Sequence, residues 1–499
     1  MHDDGKSDGS IVPSSPANKG ETESPAESAE GRLPAKRNID KSALSRTQCR
    51  NRRRSRGLLG VHEAARKSRD LKFTALFHHI NEELLTASFY QLRKNAAVGI
   101  DRMTWHEYEE GLEDRIDDLH GRVHRGAFRA KPSRRVYIAK PDGRQRPLGI
   151  AALEDKIVQH AVRTLLQCIY EEDFLGFSYG FRPGRSQHQA LDALAYAISE
   201  KRVNWVLDAD IKGFFDKIDR DWLIKFLEHR VGDRRILRLI RKWLRAGVIE
   251  DGNWIDTGEG TPQGAVISPL LANVFLHYVF DLWIHWWRKK HARGQCIVIR
   301  YADDFVIGFE READARACVE ALHVRVRKFG LTLHPDKTRL IEFGRYATER
   351  RRRAGLERPE TFDFLGMTHI CGKTRKNKRF ALWRRSSAKK MSRKLAEIKI
   401  ELRKRRHDSL GETGRWLGSV VRGWLNYHAV PDNMRRLDQF VTEISKLWLR
   451  QLRRRSQRGR ASWNWTRMHR VVRRYLPTPR ILHPYPKDRF RARLAAGAV

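Results

Sequence analysis

The chain has 499 residues, of which 40% are hydrophobic, so it is long enough for two or three domains with real cores. Its 100 Lys and Arg residues outnumber 60 Asp and Glu residues, for a formal net charge of +40. A charge of this size indicates a polyanionic partner, most simply nucleic acid. A basic membrane-surface protein is the competing interpretation, but no apolar run approaches the ~18 residues of a membrane span.

The five cysteines are scattered singly, without a Cys-x-x-Cys spacing. This pattern argues against a zinc site and a disulfide framework, and it fits a reducing compartment. The first residues contain no apolar segment of the kind that a signal peptide needs. We therefore expect a cytoplasmic protein that makes no use of a membrane.

The chain divides into four segments by composition. Residues 1–58 are rich in Ser, Pro, Glu and Gly and end in a basic run, which predicts a disordered tail. Helical and strand patterns then alternate over residues 59–380, which indicates an α+β domain rather than a doubly wound parallel sheet. Residues 381–475 are helical in pattern and rich in Trp and Arg, and residues 476–499 form a short appendage.

Two carboxylates lie at the tip of a predicted hairpin over residues 296–309. β-branched and aromatic residues flank the turn that contains Asp303 and Asp304. Adjacent aspartates repel each other, so a divalent cation would stabilise them, and Mg²⁺ prefers carboxylate oxygens. A solvated Asp-Asp turn is the alternative for an isolated pair of this kind.

A second strand, residues 205–211, carries Asp208 and Asp210. Because they are two residues apart, both side chains project from the same face. A two-metal site needs carboxylates from more than one element, since one hairpin cannot surround two ions. Either aspartate could therefore join Asp303 and Asp304.

Seven sequence blocks follow one another in an order typical of one family. They are Lys140-Pro141-Asp142-Gly143-Arg144-Gln145-Arg146-Pro147-Leu148-Gly149-Ile150, Gly180-Phe181-Arg182-Pro183-Gly184-Arg185-Ser186, Asp210-Ile211-Lys212-Gly213-Phe214-Phe215-Asp216, Gly260-Thr261-Pro262-Gln263-Gly264-Ala265-Val266-Ile267-Ser268-Pro269-Leu270, Tyr301-Ala302-Asp303-Asp304, Leu333-His334-Pro335-Asp336-Lys337-Thr338 and Phe364-Leu365-Gly366. With these blocks, residues 71 to about 480 resemble the reverse transcriptases of bacterial group II introns, the intron-encoded maturases. The resemblance implies a right-hand polymerase, with fingers and an antiparallel palm sheet followed by an all-α thumb or maturase domain.

The resemblance also implies the catalytic residues. Asp210, Asp303 and Asp304 match the triad that holds two Mg²⁺ ions. Phe215, five residues after Asp210, matches an aromatic steric gate that selects dNTPs, although an ordinary core Phe is the alternative. Asp208 then becomes a supporting carboxylate.

Further residues match nucleotide and nucleic-acid sites of the family. Lys140 and Arg146 flank a predicted turn and correspond to positions that grip the triphosphate, Gln263 corresponds to a nucleotide-pocket glutamine, and Lys337 to a basic residue near the leaving pyrophosphate. Arg182 and Arg185 lie on a Gly/Pro loop before a predicted helix N-terminus, which suits template phosphate. Phe364 and Gly366 match the block where the primer terminus rests.

The second domain combines basic clusters with Trp and Tyr, a composition suited to tracking a nucleic-acid backbone and stacking on bases. Residues 422–428 resemble the start of the maturase thumb, where Trp424 and Tyr427 are equally compatible with core packing and RNA contact. Many relatives end in a zinc-dependent nuclease with paired Cys-x-x-Cys motifs. No cysteine follows Cys371, so we expect a form without that nuclease, in which residues 476–499 contact DNA.

The resulting hypothesis is an RNA-directed DNA polymerase that binds group II intron RNA, assists its splicing and copies it into DNA. Its partners would be intron RNA, an RNA template with a DNA primer, target DNA and dNTPs. Two alternatives stay open: a reverse transcriptase adapted to a host role, such as phage defence or a CRISPR system, and a non-catalytic RNA-binding splicing factor. The oligomeric state is not determined by the sequence.

Overall fold

A computed structural model describes residues 48–139, 145–250, 253–255, 260, 264–374 and 377–489. The helices are α1 (Gln48–Lys67), α2 (Glu82–Gln91), α3 (Trp105–Glu109), α4 (Leu112–His124), α5 (Leu153–Asp173), α6 (Gln187–Glu200), α7 (Arg220–Arg230), α8 (Arg234–Arg245), α9 (Ser268–Leu276), α10 (Leu282–Lys290), α11 (Glu312–Arg327), α12 (Ala347–Arg353), α13 (Ala388–Lys404), α14 (Leu410–His428), α15 (Met434–Arg453), α16 (Gln457–Ser462) and α17 (Trp465–Tyr475). The strands are β1 (Ser133–Ala139), β2 (Gln145–Ile150), β3 (Trp205–Asp210), β4 (Val248–Glu250), β5 (Asn253–Ile255), β6 (Cys296–Tyr301), β7 (Asp304–Phe309), β8 (Arg339–Glu342), β9 (Phe362–Phe364), β10 (Met367–Lys373) and β11 (Phe380–Ser386).

The central sheet, called the palm sheet below, has the strand order β6-β7-β3-β8. All of its neighbouring strands are antiparallel. Its two faces enter different cores. Leu207 and Ile307 belong to the large core beneath the sheet, whereas Val206 and Val306 belong to a second core that also contains residues of α6 and β9. Since both faces are buried, these strands are almost continuously apolar, and their few polar residues stand out.

A second sheet, of order β2-β1-β4-β5, forms the fingers. Strands β1 and β2 are antiparallel partners in which Val136 lies opposite Leu148, as the hairpin prediction required. The turn between them, with Lys140, lies outside the described residues. Together with the palm sheet and the all-helical segment α13–α17, this sheet confirms the α+β architecture predicted from the sequence.

Two sequence-based boundaries differ from the structure. Helix α1 begins at Gln48, so the last part of the predicted tail, residues 48–58, is helical. The predicted division at residue 380 falls within a third sheet, of order β11-β10-β9, which the sequence analysis missed; the helical domain begins at Ala388. Helices α9 and α10 are joined by a π-helical turn, His277–Asp281.

The described part of the C-terminal appendage folds back over the protein as a strap, residues 476–489. The backbone amides of Leu482 and His483 donate to the carbonyl of Ala429, at the end of α14. Further along, Arg489 lies 2.8 Å from Asp192 of α6. The strap therefore joins the all-helical segment α13–α17, called the thumb below, to α6 of the palm. Its predicted contact with DNA stays a prediction.

None of the helices in the described part of the chain could cross a lipid bilayer, because none is both long and apolar enough.

Asp192 of α6 is a buried residue that connects α6 with β11 and with the C-terminal strap. Its carboxylate accepts a 2.6 Å hydrogen bond from Arg384 of β11, and both side chains are 3% exposed. We expect Asp192→Asn to lower the free energy of unfolding by about 3 kcal/mol, because it leaves a buried guanidinium without its counter-charge. Chemical denaturation measures this, with Arg316→Ala as control, since the α11 pair Arg316–Glu312 is exposed and contributes below about 0.5 kcal/mol. Equal losses in both variants would contradict the expectation.

Candidate active site

The palm sheet brings the three predicted metal-binding aspartates to one end of its two central strands, β3 and β7. Asp210 ends β3 and Asp304 begins β7, and the two are direct partners in the antiparallel register. Asp304 also pairs with Tyr301 across the β6–β7 hairpin, so Asp303 lies in the connecting turn. Opposite residues of an antiparallel pair project to the same face. The structure thus places carboxylates from two separate elements side by side, as the sequence predicted.

The turn that carries Asp303 has an unusual backbone. Ala302 adopts a φ of 56°, in the left-handed region that non-glycine residues rarely occupy. Gly180 lies directly against this turn: a Cβ atom at Gly180 would be 2.3 Å from the backbone nitrogen of Ala302. The neighbouring loop, residues 177–185, can approach the turn this closely only because residue 180 has no side chain.

Burial and like charges raise the pKa values of two carboxyl groups here, those of Asp304 and Asp208. Asp304 reaches solvent, but the protein around it removes much of its hydration, and Asp303 and Asp210 add negative charge, so its pKa is raised to about 6. Burial, together with the nearby Asp304, raises the pKa of Asp208 to about 7. Protein side chains alone leave this cluster short of positive charge.

Lys337 supplies one compensating charge, and its ammonium group bonds to the Oδ2 of Asp210. The backbone brings it there, because the amide of His334 donates to the carbonyl of Asp210 at 2.8 Å. The family resemblance predicts a position for Lys337 near the leaving pyrophosphate. In this structure it stands where a cation bound to Asp210 would be, so the donor set fits a divalent metal ion.

Phe215 lies in the short 3₁₀ helix Phe214–Asp216 that follows β3. Phe214 is 2% exposed and belongs to the core, whereas Phe215 is only partly buried and packs at the margin of that core. Of the two adjacent aromatic residues, Phe215 is therefore the one that can face a substrate, which is compatible with the predicted steric gate.

The structure describes only some of the predicted nucleotide-binding residues. Lys140 and Gln263 lie outside the described residues, and Arg146 is described by its backbone alone, as the partner of Ile138. Gly264, with a φ of 110°, packs closely on Gly149 of β2: a Cβ atom at Gly264 would be 2.7 Å from the Gly149 carbonyl oxygen. Two sequence blocks that are far apart in the chain thus meet here.

Arg182 has a different environment from the one predicted. It is 6% exposed, and its guanidinium donates to Glu171 and to the backbone carbonyls of Leu175 and Ser178. A side chain committed in this way holds the loop together, so in this conformation it does not present its charge to a template. Arg185 is partly buried, donates to the Gly176 carbonyl and lies over the ring of Tyr179.

The Phe364-Leu365-Gly366 turn is held by the thumb. Leu365 and Gly366 both have positive φ angles, 48° and 83°. The hydroxyl of Tyr427 donates to the Leu365 carbonyl at 2.5 Å, and the amide of Ser387 donates to the Gly366 carbonyl at 3.1 Å. Phe364 itself is 3% exposed and belongs to the second core, and Gly366 is buried as well, so Leu365 is the one residue of this block that is partly exposed.

The structure adds a residue that the sequence analysis did not assign to the site. Lys390, in the first turn of α13, is exposed, and its Nζ lies 3.1 Å from the position of a Cβ atom at Gly366. Its charge also acts on Asp304 and lowers the pKa of that carboxyl. In the sequence it is one of many basic residues near position 390, and only the tertiary contact distinguishes it. Trp424, in contrast, is covered by His428 and Phe440, so it packs in the thumb core.

Another acidic group lies on the fingers. Glu82, Asp117 and His120 bring ligand atoms within 4.8 Å of one another on α2 and α4. Their side chains are largely exposed, and no other observation indicates an ion there. The palm aspartates are therefore the better candidate for a metal centre.

Comparison with known proteins agrees with this geometry. Residues 138–369 match the family described as reverse transcriptase (RNA-dependent DNA polymerase). Protein YkfC of Escherichia coli is 34% identical over 276 residues, which cover 48% of this chain and 71% of that protein. The group II intron-encoded protein LtrA of Lactococcus lactis is 35% identical over 219 residues, 44% of this chain and 36% of LtrA.

A protein encoded in the cob intron of Schizosaccharomyces pombe is 30% identical over 276 residues, 54% of this chain and 34% of that protein. The chain thus matches only about a third of the length of these intron-encoded relatives. The family match over residues 138–369 contains β3 and the β6–β7 hairpin, the elements that carry the aspartate cluster.

The raised carboxyl pKa values predict a pH dependence of metal binding. Protonated carboxyl groups do not bind metal, so Mn²⁺ affinity should fall as the pH is lowered through about 6, the pKa of the proposed ligand Asp304. Electron paramagnetic resonance of free Mn²⁺ between pH 8 and pH 5 measures this. An affinity independent of pH over this range would contradict the prediction.

Asp208→Asn tests the raised pKa of Asp208 through the stability of the metal-free protein. An acid whose pKa is raised by folding destabilises the metal-free protein most when it is fully ionised. The substitution should therefore raise the melting temperature more at pH 8 than at pH 5.

Proposed function

Because the chain belongs to the reverse transcriptase family and is an RNA-directed DNA polymerase, we propose that it extends a DNA primer on an RNA template at the Asp210, Asp303 and Asp304 cluster. The observation that carries the proposal is the direct pairing of Asp210 with Asp304, which concentrates carboxylates at the edge of the palm sheet. The proposal includes Mg²⁺ as the metal ion, held by these three aspartates, and dNTPs as substrates.

The residues of the site would have separate roles in nucleotidyl transfer. When bound, the two Mg²⁺ ions would activate the primer 3′-hydroxyl and stabilise charge on the transferred phosphoryl group. Lys337, which bonds to Asp210 in this structure, would meet the negative charge of the triphosphate if a bound metal ion took its place at that carboxylate. Its ammonium can then donate a proton to the leaving pyrophosphate.

Selection of the nucleotide is assigned to the fingers side of the site. Phe215 is the aromatic residue beside Asp210 that reaches the surface, and its flat ring would exclude a ribose 2′-hydroxyl. Lys140, Arg146 and Gln263 are proposed to contact the incoming dNTP, and the packing of Gly264 on Gly149 supports a shared pocket for their two sequence blocks.

The primer is assigned to the opposite side of the site. The tip at Leu365 and Gly366 is held rigidly by Tyr427 and Ser387. Lys390 extends over this tip and faces the aspartate cluster, so its ammonium is suited to a primer phosphate close to the 3′ end.

We also propose that the protein binds the RNA of a group II intron, assists its splicing and copies it at a DNA target. The similarity to intron-encoded proteins supports this role, as do the net charge of +40 and the many basic residues of α13–α17. A reverse transcriptase that has a different host role would share the same catalytic site. Splicing of an intron precursor RNA at low Mg²⁺, with and without the protein, distinguishes the two.

Replacing a metal-binding aspartate tests the catalytic assignment. Asp303→Ala should lower the rate of dNTP incorporation on a primed RNA template at least about a thousandfold, or ~4 kcal/mol of activation free energy, because it removes a metal ligand. RNA binding should stay within about twofold in a gel-shift assay. Asp336→Ala is the control, since Asp336 is close in sequence to Lys337 and its side chain is 90% exposed. Full activity of Asp303→Ala would refute the assignment.

Replacing Lys390 tests the primer contact. Lys390→Ala should weaken binding of a primer–template duplex and reduce the slope of log affinity against log salt by about 1, because one phosphate contact is lost. Fluorescence anisotropy at several salt concentrations measures both quantities. Lys389→Ala is the matched control, since Lys389 is equally exposed but lies a quarter-turn around α13. Identical salt slopes for the two variants would exclude the contact.

A further inference from the structure

An arginine without solvent exposure lies directly before the metal-binding turn. Arg300 is 0% exposed and occupies the last but one position of β6, within the apolar run Cys296–Tyr301. Its partner Asp281 is also 0% exposed and accepts two hydrogen bonds, from Nε at 2.7 Å and from Nη2 at 2.6 Å. Burying such a pair costs free energy, and apolar side chains of similar size are often as stable. Stability alone therefore does not explain it.

The remaining N–H groups of the guanidinium donate to the metal-binding turn and to residues around it. Nη1 donates to the carbonyl oxygen of Ala302 at 2.9 Å and to the side chain of Asn273 at 3.1 Å. Nη2 donates to the hydroxyl of Ser178 at 2.7 Å. All five N–H groups of Arg300 thus have partners, and one of these partners is the backbone of the turn itself.

Asn273 extends the network to the loop that packs on the turn. Its amide nitrogen donates to the carbonyl of Gly180 at 2.7 Å, and Gly180 lies against Ala302. The backbone of Arg300 adds two bonds to the same loop, from its amide to Phe177 at 2.9 Å and to its carbonyl from Tyr179 at 2.8 Å. Loop and turn are therefore fixed relative to each other through the side chain and the backbone of Arg300, together with Asn273.

The position of Asp281 depends on an irregular helix. It is the last residue of the π-helical turn His277–Asp281 between α9 and α10. A π turn contains about one residue more than an α turn, which rotates the residues that follow it, and such turns are frequent at functional sites. Here the rotation places the carboxylate in front of Arg300, beneath the hairpin.

We propose that Arg300, held by Asp281, is a positioning residue that fixes the left-handed conformation of Ala302 and thereby the metal-binding geometry of Asp303 and Asp304. The proposal rests on the function proposed for the aspartate cluster. A residue held in a sparsely populated conformation needs surrounding structure that determines it, and Arg300 supplies a hydrogen bond to its carbonyl. Outer partners of metal ligands typically change metal affinity by about 10- to 100-fold when replaced.

The test compares two buried Arg–Asp pairs. Asp281→Asn keeps the shape of the side chain but removes the charge that holds Arg300. The control is Asp173→Asn, which removes the charged partner of Arg230. That pair is also buried, with side chains 3% and 9% exposed. The hydrogen bonds described for Arg230 do not reach the hairpin. Mn²⁺ affinity by electron paramagnetic resonance, melting temperature and steady-state primer extension are measured for each variant.

We expect Asp281→Asn to weaken Mn²⁺ binding by about tenfold or more and to lower kcat by a similar factor, with the KM for primer–template within about twofold. Asp173→Asn should lower the melting temperature but leave Mn²⁺ affinity unchanged. A folded Asp281→Asn variant with wild-type Mn²⁺ affinity, or equal losses of affinity in both variants, would overturn the proposal.

Ser178→Ala keeps the test decisive if Asp281→Asn does not fold. It removes one hydrogen bond to Arg300 and should weaken Mn²⁺ binding about two- to fivefold, in the same direction. Unchanged Mn²⁺ affinity and kcat in this variant would overturn the proposal. If the wild-type protein extends no primer, the function proposed for the site fails, but the comparison of Mn²⁺ affinities still decides the role of Arg300.

Discussion

Mutual repulsion among carboxylates is the constraint on which the site depends. Asp210, Asp303 and Asp304 lie at one edge of the palm sheet, with Asp208 two residues away on the same strand and the same face. This concentration of negative charge occurs in a protein whose net charge is +40. The raised pKa values of Asp208 and Asp304 express the cost of placing these groups together. The fold maintains the cluster because the sheet register and the buried groups behind the turn leave the carboxylates no alternative position.

Cations surround the cluster from separate parts of the chain. Lys337 reaches Asp210 from the segment that follows α11, and Lys390 approaches from the thumb. The strand β11, which leads into the thumb, is in turn attached to α6 by the buried pair of Arg384 and Asp192, and the C-terminal strap attaches to the same aspartate through Arg489. The site is thus assembled across the palm–thumb junction, and contacts far from the aspartates determine where their counter-charges lie.

Local sequence patterns predicted the parts of the site that depend on local structure. The β6–β7 hairpin and the strand with Asp210 follow from runs of β-branched and aromatic residues and from turn composition, and the ordered blocks suggest their joint role. The contacts of Lys390 and Arg300 could not be predicted in this way, because each depends on residues distant in sequence. Ser178 and Arg300, for example, are 122 positions apart. A charged residue inside the apolar run Cys296–Tyr301 was the one available signal for Arg300.

The most direct test of the account is a structure of the protein with an RNA–DNA primer–template, a non-hydrolysable dNTP analogue and Mn²⁺. Anomalous scattering then locates the metal ions independently of any assay. The account predicts two Mn²⁺ ions about 3.5–4 Å apart between Asp210, Asp303 and Asp304, with Lys337 displaced toward the triphosphate. Metal bound at other residues, with Lys337 still bonded to Asp210, would contradict it.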